Sequence, residues 1–265
     1  MHLSMTTKAH CQMKKQLCRL FYGTLLLVPA LLSSCSEEYS IAGRTTVPIL
    51  DGQMLHLRTT SDDMTQMDID SCQVVHGHFS FYGDMDTIRM AQVYMGSDFS
   101  MPLVIETGNL RIQVDNMGSR VTGSPMNEKL YKFFQKQARL NNELADIDSK
   151  FMQMAREGKT LEDIRKKLLP KRQKILDRAE KLESEFIIEN SDNILGPGYF
   201  MMMMSQFPTP IITESISRIL EDVSPEFFNS PYVRTYIQQA SMNPLSAPNI
   251  RKASLQKKRG KRHSN

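Results

Sequence analysis

The chain has 265 residues, of which 40% are hydrophobic and 23% are charged, as is typical of a protein with a packed core. This composition excludes a chain that is disordered throughout and a membrane protein with many spans. The net charge of +4 comes from the two ends, because residues 1–34 hold four cations and residues 251–265 hold seven, with no acid in either range. The body between them has 22 cations and 29 acids, a net charge of −7, which argues against a nucleic-acid partner.

A short apolar run, residues 20–32, follows the cations of the amino terminus and precedes small residues. A helix that spans a bilayer needs ~20 apolar residues, so this run is too short to span one comfortably. The arrangement is typical of a secretory signal peptide, which we predict over residues 1–34. Met13 precedes two lysines and would also begin such a signal naturally, so both Met1 and Met13 are candidates for the true start.

The apolar run ends in Leu32-Ser33-Ser34-Cys35, which resembles the lipobox of bacterial lipoproteins. In a lipobox the cysteine sulfur is alkylated by a diacylglyceryl group, and cleavage makes that cysteine the acylated first residue. We therefore predict lipid attachment at Cys35; a plain signal peptide with an incidental cysteine is the alternative. Ser36 resembles the sorting pattern of outer-membrane lipoproteins, and the acids Glu37 and Glu38 resemble a signal for the cell surface. The expected location is the outer membrane, with the protein facing the periplasm or the exterior.

The predicted signal peptide determines which cysteines remain in the mature chain. Cys11 and Cys18 lie in the predicted leader and Cys35 carries the lipid, so the mature chain keeps Cys72 alone. One cysteine excludes an internal disulfide and a C-x-x-C redox pair. Cys72 lies in a strand-like run, and we interpret it as a small buried apolar residue rather than a nucleophile.

Residues 35–125 are predicted to form an antiparallel β domain. Turns that contain glycine divide this segment into short runs in which apolar and polar residues alternate, and a period of two buries one face of a strand. Clear examples are the pairs Leu55 and Leu57, Phe79 and Phe81, and Leu110 and Ile112. Seven or eight antiparallel strands at this spacing predict a β-sandwich or a partly open barrel.

Residues 126–190 are predicted to form a long antiparallel helical hairpin. Apolar residues recur at alternating steps of four and three, the pattern of a helix that packs along another helix. The positions are Met126, Leu130, Phe133, Gln137, Leu140, Leu144, Ile147, Phe151 and Met154, and Gln137 is the polar exception. Gly158 ends the first helix, Thr160 caps the second, and Pro170 is expected to kink or divide the second. Each arm would span ~45 Å and project from the β domain.

Residues 191–240 are predicted to form a small helical cluster. Within it, Ser224-Pro225 and Ser230-Pro231 each indicate the start of a helix. Residues 241–265, rich in Asn, Pro and Ser and then in Lys and Arg, are predicted to be a disordered basic tail. Behind a lipoprotein signal, such a tail could adhere to anionic head groups. The alternative is an unstructured end without a role, or the product of a truncated or frame-shifted gene.

Two sequence patterns suggest ligand chemistry but have simpler explanations. Gly158-Lys159-Thr160 resembles the end of a phosphate-binding loop, but Gln153 stands where that loop requires glycine, and the preceding segment is helical. The four methionines at 201–204 could suggest a soft metal ion. Four consecutive helical positions point in all directions, so we interpret these methionines as flexible core filling.

His76 and His78 could share one face of a strand, near His56, Asp68 and Asp70. Gly77 is a turn residue, and no further ligand has a recognised spacing, so a solvated hairpin end explains these histidines better than a metal site. The sequence contains no nucleophile elbow and no distinctive pair of acids. We therefore predict no catalytic residues, no metal, no cofactor and no enzymatic activity.

Four stretches, taken in order, carry a family resemblance. They are Asp70-Ser71 with Val74, Gly77, Phe79, Phe81 and Gly83; Ile105-Glu106-Thr107-Gly108-Asn109-Leu110; Val121-Thr122-Gly123-Ser124-Pro125-Met126-Asn127; and Asn190-Ser191-Asp192-Asn193-Ile194-Leu195-Gly196. Together, over roughly residues 38–240, they resemble domain of unknown function 4369, the N-terminal part of thioredoxin-like envelope lipoproteins from Gram-negative gut anaerobes.

The chain departs from that family at its carboxyl end. In many relatives a thioredoxin domain with a W-C-x-x-C motif follows the last helix, whereas this chain has no tryptophan. Thiol–disulfide exchange needs an attacking and a resolving thiol, and Cys72 cannot supply both. The resemblance therefore does not imply oxidoreductase activity for this chain.

The sequence thus predicts a non-catalytic, lipid-anchored cell-envelope protein whose β domain and hairpin bind a protein, peptide or glycan partner. The alternative is an accessory domain that acts with a separate thioredoxin-like thiol–disulfide oxidoreductase. A third hypothesis is membrane adhesion through the basic tail.

Overall fold

The computed structural model describes residues 37–96 and 99–246. The predicted signal peptide, the predicted lipid-attachment residue Cys35 and residues 247–265 of the predicted tail lie outside this range. Within it, eight strands are followed by a helical hairpin and a cluster of short helices. No helix in the described ranges has the length and apolar composition that crossing a membrane requires.

The strands alternate between buried and exposed residues, as their sequence period predicts. Their bounds are β1 Glu37–Thr45, β2 Met54–Thr60, β3 Gln66–Gln73, β4 His78–Met85, β5 Arg89–Met95, β6 Phe99–Ile105, β7 Gly108–Asp115 and β8 Gly118–Thr122. In β7, Leu110, Ile112 and Val114 are buried, whereas Arg111 and Gln113 are exposed.

Two four-stranded sheets enclose the core, in the orders β4-β1-β7-β8 and β3-β2-β5-β6. The β3–β4 hairpin carries the chain from one sheet to the other. Among the described residues the sheets do not close into a barrel, which confirms the predicted sandwich or open barrel. One pairing departs from the antiparallel pattern, because β1 runs parallel to β7, with Tyr39 opposite Gly108.

The predicted helical hairpin is confirmed. Helix α1, Pro125–Arg156, begins at Ser124, whose side chain accepts the backbone N–H of Asn127, and helix α2, Leu161–Glu189, begins at Thr160. Pro170 lies inside α2, but the helix is continuous through it. The distal half of the hairpin has a core of its own, separate from that of the β domain. This second core comprises Leu140, Ile147, Ile164, Leu168 and Ile175.

The helical cluster packs against the β domain and the base of the hairpin. It contains α3 Leu195–Met204, α4 Glu214–Asp222, a 3-10 turn Pro225–Asn229 and α5 Pro231–Met242. The predicted start of the disordered tail at residue 241 is too early, because α5 extends to Met242 and Ser246 is buried. The Ser246 hydroxyl donates to the carbonyl of Ala240 and accepts from the backbone N–H of Ile212, which holds this segment on the cluster.

Candidate functional site

A groove of about 1230 Å³ lies between the outer face of the β3-β2-β5-β6 sheet and the helical cluster. One wall comes from β2, β3, β5 and the turns beside them, and the other comes from α3, the turn before it and the start of α5. Methionines line both walls. They are Met64, Met67 and Met90 on the strand side and Met201, Met202 and Met204 on the α3 side.

Helix α3 approaches the sheet closely enough to form the second wall because it carries glycine at the contact. A Cβ atom at Gly198 would lie 3.0 Å from both Cβ and Cγ of Met90 in β5, which is tighter than ordinary side-chain packing. Gly198 therefore sets the spacing between α3 and β5. The methionines on either side of this contact border the open part of the groove.

The turn between β2 and β3 forms one end of the groove. The carboxylate of Asp63 accepts hydrogen bonds from the hydroxyl of Ser61, from the hydroxyl of Thr65 at 2.8 Å and from the backbone N–H of Thr65 at 3.2 Å. These bonds favour the charged form and lower the pKa of Asp63 to about 2. The hydroxyl of Thr235 in α5 donates to the carbonyl oxygen of Asp62 at 3.3 Å, so the turn contacts the helical wall.

The rim of the groove is acidic. The carboxylates among its described lining residues belong to Asp62, Asp63, Asp192 and Glu226. The lining arginines are already paired: Arg58 with Asp68, and Arg89 with Asp86. The Arg58 guanidinium also lies over the ring of Tyr94, 5.4 Å from its centroid. The unpaired charge on the described part of the rim is therefore negative.

The structure does not bring the candidate metal ligands together. His76 and His78 are exposed at the tight turn between β3 and β4, as the solvated-hairpin interpretation predicts, and His76 has φ +51°. Asp68 pairs with Arg58, and the carboxylate of Asp70 accepts from the backbone N–H of Tyr82. In the described ranges, no three His, Cys, Asp or Glu side chains form a group able to hold a metal ion.

The methionine run at 201–204 has a second role that its sequence does not reveal. Met201, Met202 and Met203 all pack against the core and Met204 is 1% exposed, in line with core filling. Met201 and Met202, however, are half-buried and line the groove. The only hint available from the sequence was the unusual density of methionine, since the strand-side methionines lie more than 100 residues earlier in the chain.

Cys72 is half-buried in β3, opposite Leu55, and packs against the core. Burial raises the pKa of its thiol, and the nearby carboxylate of Asp70 acts in the same direction. A raised pKa reduces the fraction of the reactive thiolate. This environment agrees with the interpretation of Cys72 as a packing residue.

We expect Cys72 to react with iodoacetamide severalfold more slowly in the folded protein than in the same protein unfolded in urea, at mildly alkaline pH. The physical reason is that burial both shields the sulfur and raises the pKa of the thiol. A chain with Cys35→Ala makes Cys72 the sole thiol of the mature protein, and mass spectrometry follows the alkylation. Equal rates in the two states would contradict the assignment.

The polar member of the heptad seam joins the hairpin to α3. The Gln137 amide donates to the Glu183 carboxylate at 2.7 Å and to the Tyr199 hydroxyl at 3.0 Å, and that hydroxyl donates to the same carboxylate at 3.1 Å. Burial and the Glu183 charge raise the pKa of Tyr199, so its hydroxyl stays protonated. The three side chains fix the position of α3, and with it one wall of the groove.

The family-like motifs serve backbone geometry. Asn127 is fully buried and bonds both the N–H and the carbonyl of Val104 in β6. Asn190 is also fully buried, and its backbone carbonyl oxygen accepts a hydrogen bond from the backbone N–H of Gly196 at 3.1 Å. A Cβ at Gly196 would lie 2.4 Å from that oxygen, so only glycine fits there. These three residues fold the domain and position α3.

Residues 39–130 match the family model of a domain of unknown function, DUF4369. The chain therefore contains a DUF4369 domain, which confirms the identification made from the motifs. The match covers most of β1, all of β2 to β8 and the start of α1, so the α3 and α5 wall of the groove lies beyond it. No curated protein matches the chain.

Proposed function

We propose that this protein is a non-catalytic, lipid-anchored module of the cell envelope that binds an extended segment of a partner protein in the methionine-lined groove. The observation that carries the proposal is the presence of methionines on both walls of one open groove. Methionine side chains are flexible and polarizable, and they recur on protein surfaces that accept varied apolar partners.

The size of the groove favours a polypeptide over a small molecule. Pockets for small ligands typically measure about 300–1,000 Å³, and this groove is larger at about 1230 Å³. The acidic rim adds a preference for a segment that carries lysine or arginine beside its apolar residues. Burial raises the pKa of the Cys72 thiol and so lowers its thiolate fraction, which supports a binding role over thiol-based redox catalysis.

The lipid anchor is part of the proposal because of the lipobox-like Leu32-Ser33-Ser34-Cys35. The short distance from Cys35 to β1, which begins at Glu37, would hold the β domain close to the outer-membrane surface. Ser36 in place of an aspartate supports the outer rather than the inner membrane.

Peptides selected from a random phage-displayed library against the mature chain are expected to carry apolar residues flanked by Lys or Arg. Met67→Ser or Met202→Ser should weaken their binding about tenfold, because burying a methionine side chain contributes ~1.5–3 kcal/mol. Met67 is already 43% exposed, so its replacement should not disturb the fold.

The matched control for these variants is Met117→Ser. Met117 is 98% exposed in the β7–β8 turn and does not line the groove. Binding that falls equally in the control variant, or that persists unchanged in both groove variants, would contradict a role of the groove in binding.

A further inference from the structure

The described part of the chain ends beside the groove. Ser246 is buried between Ile212 and Ala240, to which its hydroxyl is hydrogen-bonded at 3.1 Å and 2.6 Å. Pro210, two residues before Ile212, and Tyr236, in the same helix as Ala240, both line the groove. Ser246, after which the described part of the chain ends, is therefore held close to the helical wall.

These residues are long enough to reach every part of the groove. A fully extended chain covers ~3.3 Å per residue, so residues 247–265 can span about 60 Å. Because they are tethered, their effective concentration at the groove would be high, in the millimolar range for a short flexible connection. A modest intrinsic affinity is then enough for occupancy.

The composition of this segment complements the groove. It has seven lysines and arginines between 251 and 262 and no acid, and it interposes the apolar residues Ile250 and Leu255. The groove offers methionines on both walls and four carboxylates at its rim. The lining arginines do not neutralise these carboxylates, because they pair with Asp68 and Asp86. The methionines on the walls can contact the apolar side chains of the segment, and the carboxylates at the rim attract its cations.

We infer that residues 247–265 occupy the groove of their own chain, with Leu255 against the methionines and the flanking cations at the acidic rim, and that a partner segment must displace them. The inference rests on the proposed function, because it names an intramolecular competitor for the same groove. It also assigns the basic tail a role other than adhesion to membranes.

The test is a rate of disulfide formation in the full mature chain carrying Cys35→Ala and Cys72→Ala. Leu255→Cys is combined with Met67→Cys in the groove or with Met117→Cys as the control. Met117 lies beyond the Val114 end of β7, in the other sheet, and is more exposed than Met67, at 98% against 43%, so exposure alone would favour the control pair. The Leu255–Met67 pair is expected to oxidise at least about tenfold faster, and high salt should reduce the advantage.

Equal rates for the two pairs, or an advantage that does not respond to salt, would overturn the inference. A second measurement compares the binding of the phage-selected peptides to two full chains, the parent and a variant in which the seven tail cations are replaced by serine. The peptides should bind the variant at least about tenfold more tightly than the parent. If the peptides bind the groove equally well with either tail, the tail inference fails while the proposed function stands. If no peptide binds the groove in either chain, the proposed function fails. Failure of the tail to enter the groove, with binding to vesicles containing anionic lipids instead, would favour membrane adhesion.

Discussion

Replacing Asn127 with leucine should lower the free energy of unfolding by about 3–5 kcal/mol. The side chain is fully buried, and its amide accepts from the N–H of Val104 at 2.9 Å and donates to the carbonyl of Val104 at 2.7 Å. It also donates to the hydroxyl of Ser124, the residue that caps α1, at 2.8 Å. Leucine preserves the volume but leaves these buried groups without partners, and each such group costs about 1–3 kcal/mol.

The effect should be large because Asn127 substitutes for a neighbouring strand. Strand β6 is the edge of its sheet, and the Asn127 amide pairs with Val104 as a ninth strand would. One helical turn later, the Tyr131 hydroxyl also bonds the backbone of β6, by donating to the carbonyl of Pro102 at 3.0 Å. Helix α1 thereby covers an edge that would otherwise be open to pairing with another chain.

Urea unfolding followed by circular dichroism measures this change. The control is Asn141→Leu, since Asn141 lies on an exposed face of the same helix and should change stability by less than ~0.5 kcal/mol. A loss below about 1 kcal/mol in Asn127→Leu would mean that the α1–β6 contact does not hold the hairpin on the β domain.

Cys35→Ala should abolish labelling by radioactive palmitate and the cleavage that yields the mature chain. Each acyl methylene that enters the bilayer contributes ~0.8 kcal/mol, and two or more chains on one residue anchor a protein stably. Without the sulfur no acyl group is attached, and the protein should keep the mass of its unprocessed precursor. The magnitude is expected to be close to complete.

The control for this experiment is Cys72→Ala, which removes the other cysteine of the mature chain and should leave fractionation and labelling unchanged. A Cys35→Ala protein that sediments with membranes and matures like the parent would contradict the anchor. The phage-selected peptides should still bind the groove in Cys35→Ala, because the anchor and the groove are separate parts of the proposal.

Helix α1 runs away from the end of the β domain at which β1 begins. β1 begins opposite Gly108, at the same end of the β domain as Ile105 and the start of α1. Because Asn127 lies beside Val104 and Tyr131 beside Pro102, α1 runs antiparallel to β6 and away from that end.

The local patterns of the sequence determined the class of the fold. The alternation in β7 and the heptad seam of α1 express, respectively, a period of two and a period near 3.5, and each period is set by backbone geometry over a few residues. Caps at Ser124 and Thr160 are equally local, because the capping side chain bonds a backbone N–H three residues ahead. Such features are readable without tertiary information.

The family-like motifs and the helical seam were readable as patterns, but the roles of their residues were not. Gln137 was visible as a polar interruption of an apolar seam, yet its partners Glu183 and Tyr199 lie 46 and 62 residues away. Asn190 and Gly196 were visible as a motif, but their contact depends on a turn in which a carbonyl oxygen excludes any Cβ. In each case the sequence identified the residue and the packing identified its function.

The sequence alone thus determined a turn-rich β half, a helical hairpin and a stretch that matches a known domain family, and it predicted a lipid-attachment residue. Only the tertiary structure decided the parallel pairing of β1 with β7 and the groove between the sheet and α3. The physical reason is the sequence separation of the interacting residues, because propensity, capping and periodicity act between neighbours in the chain. A binding surface depends instead on which distant segments pack together, here strand methionines at 64–90 and helical methionines at 201–204.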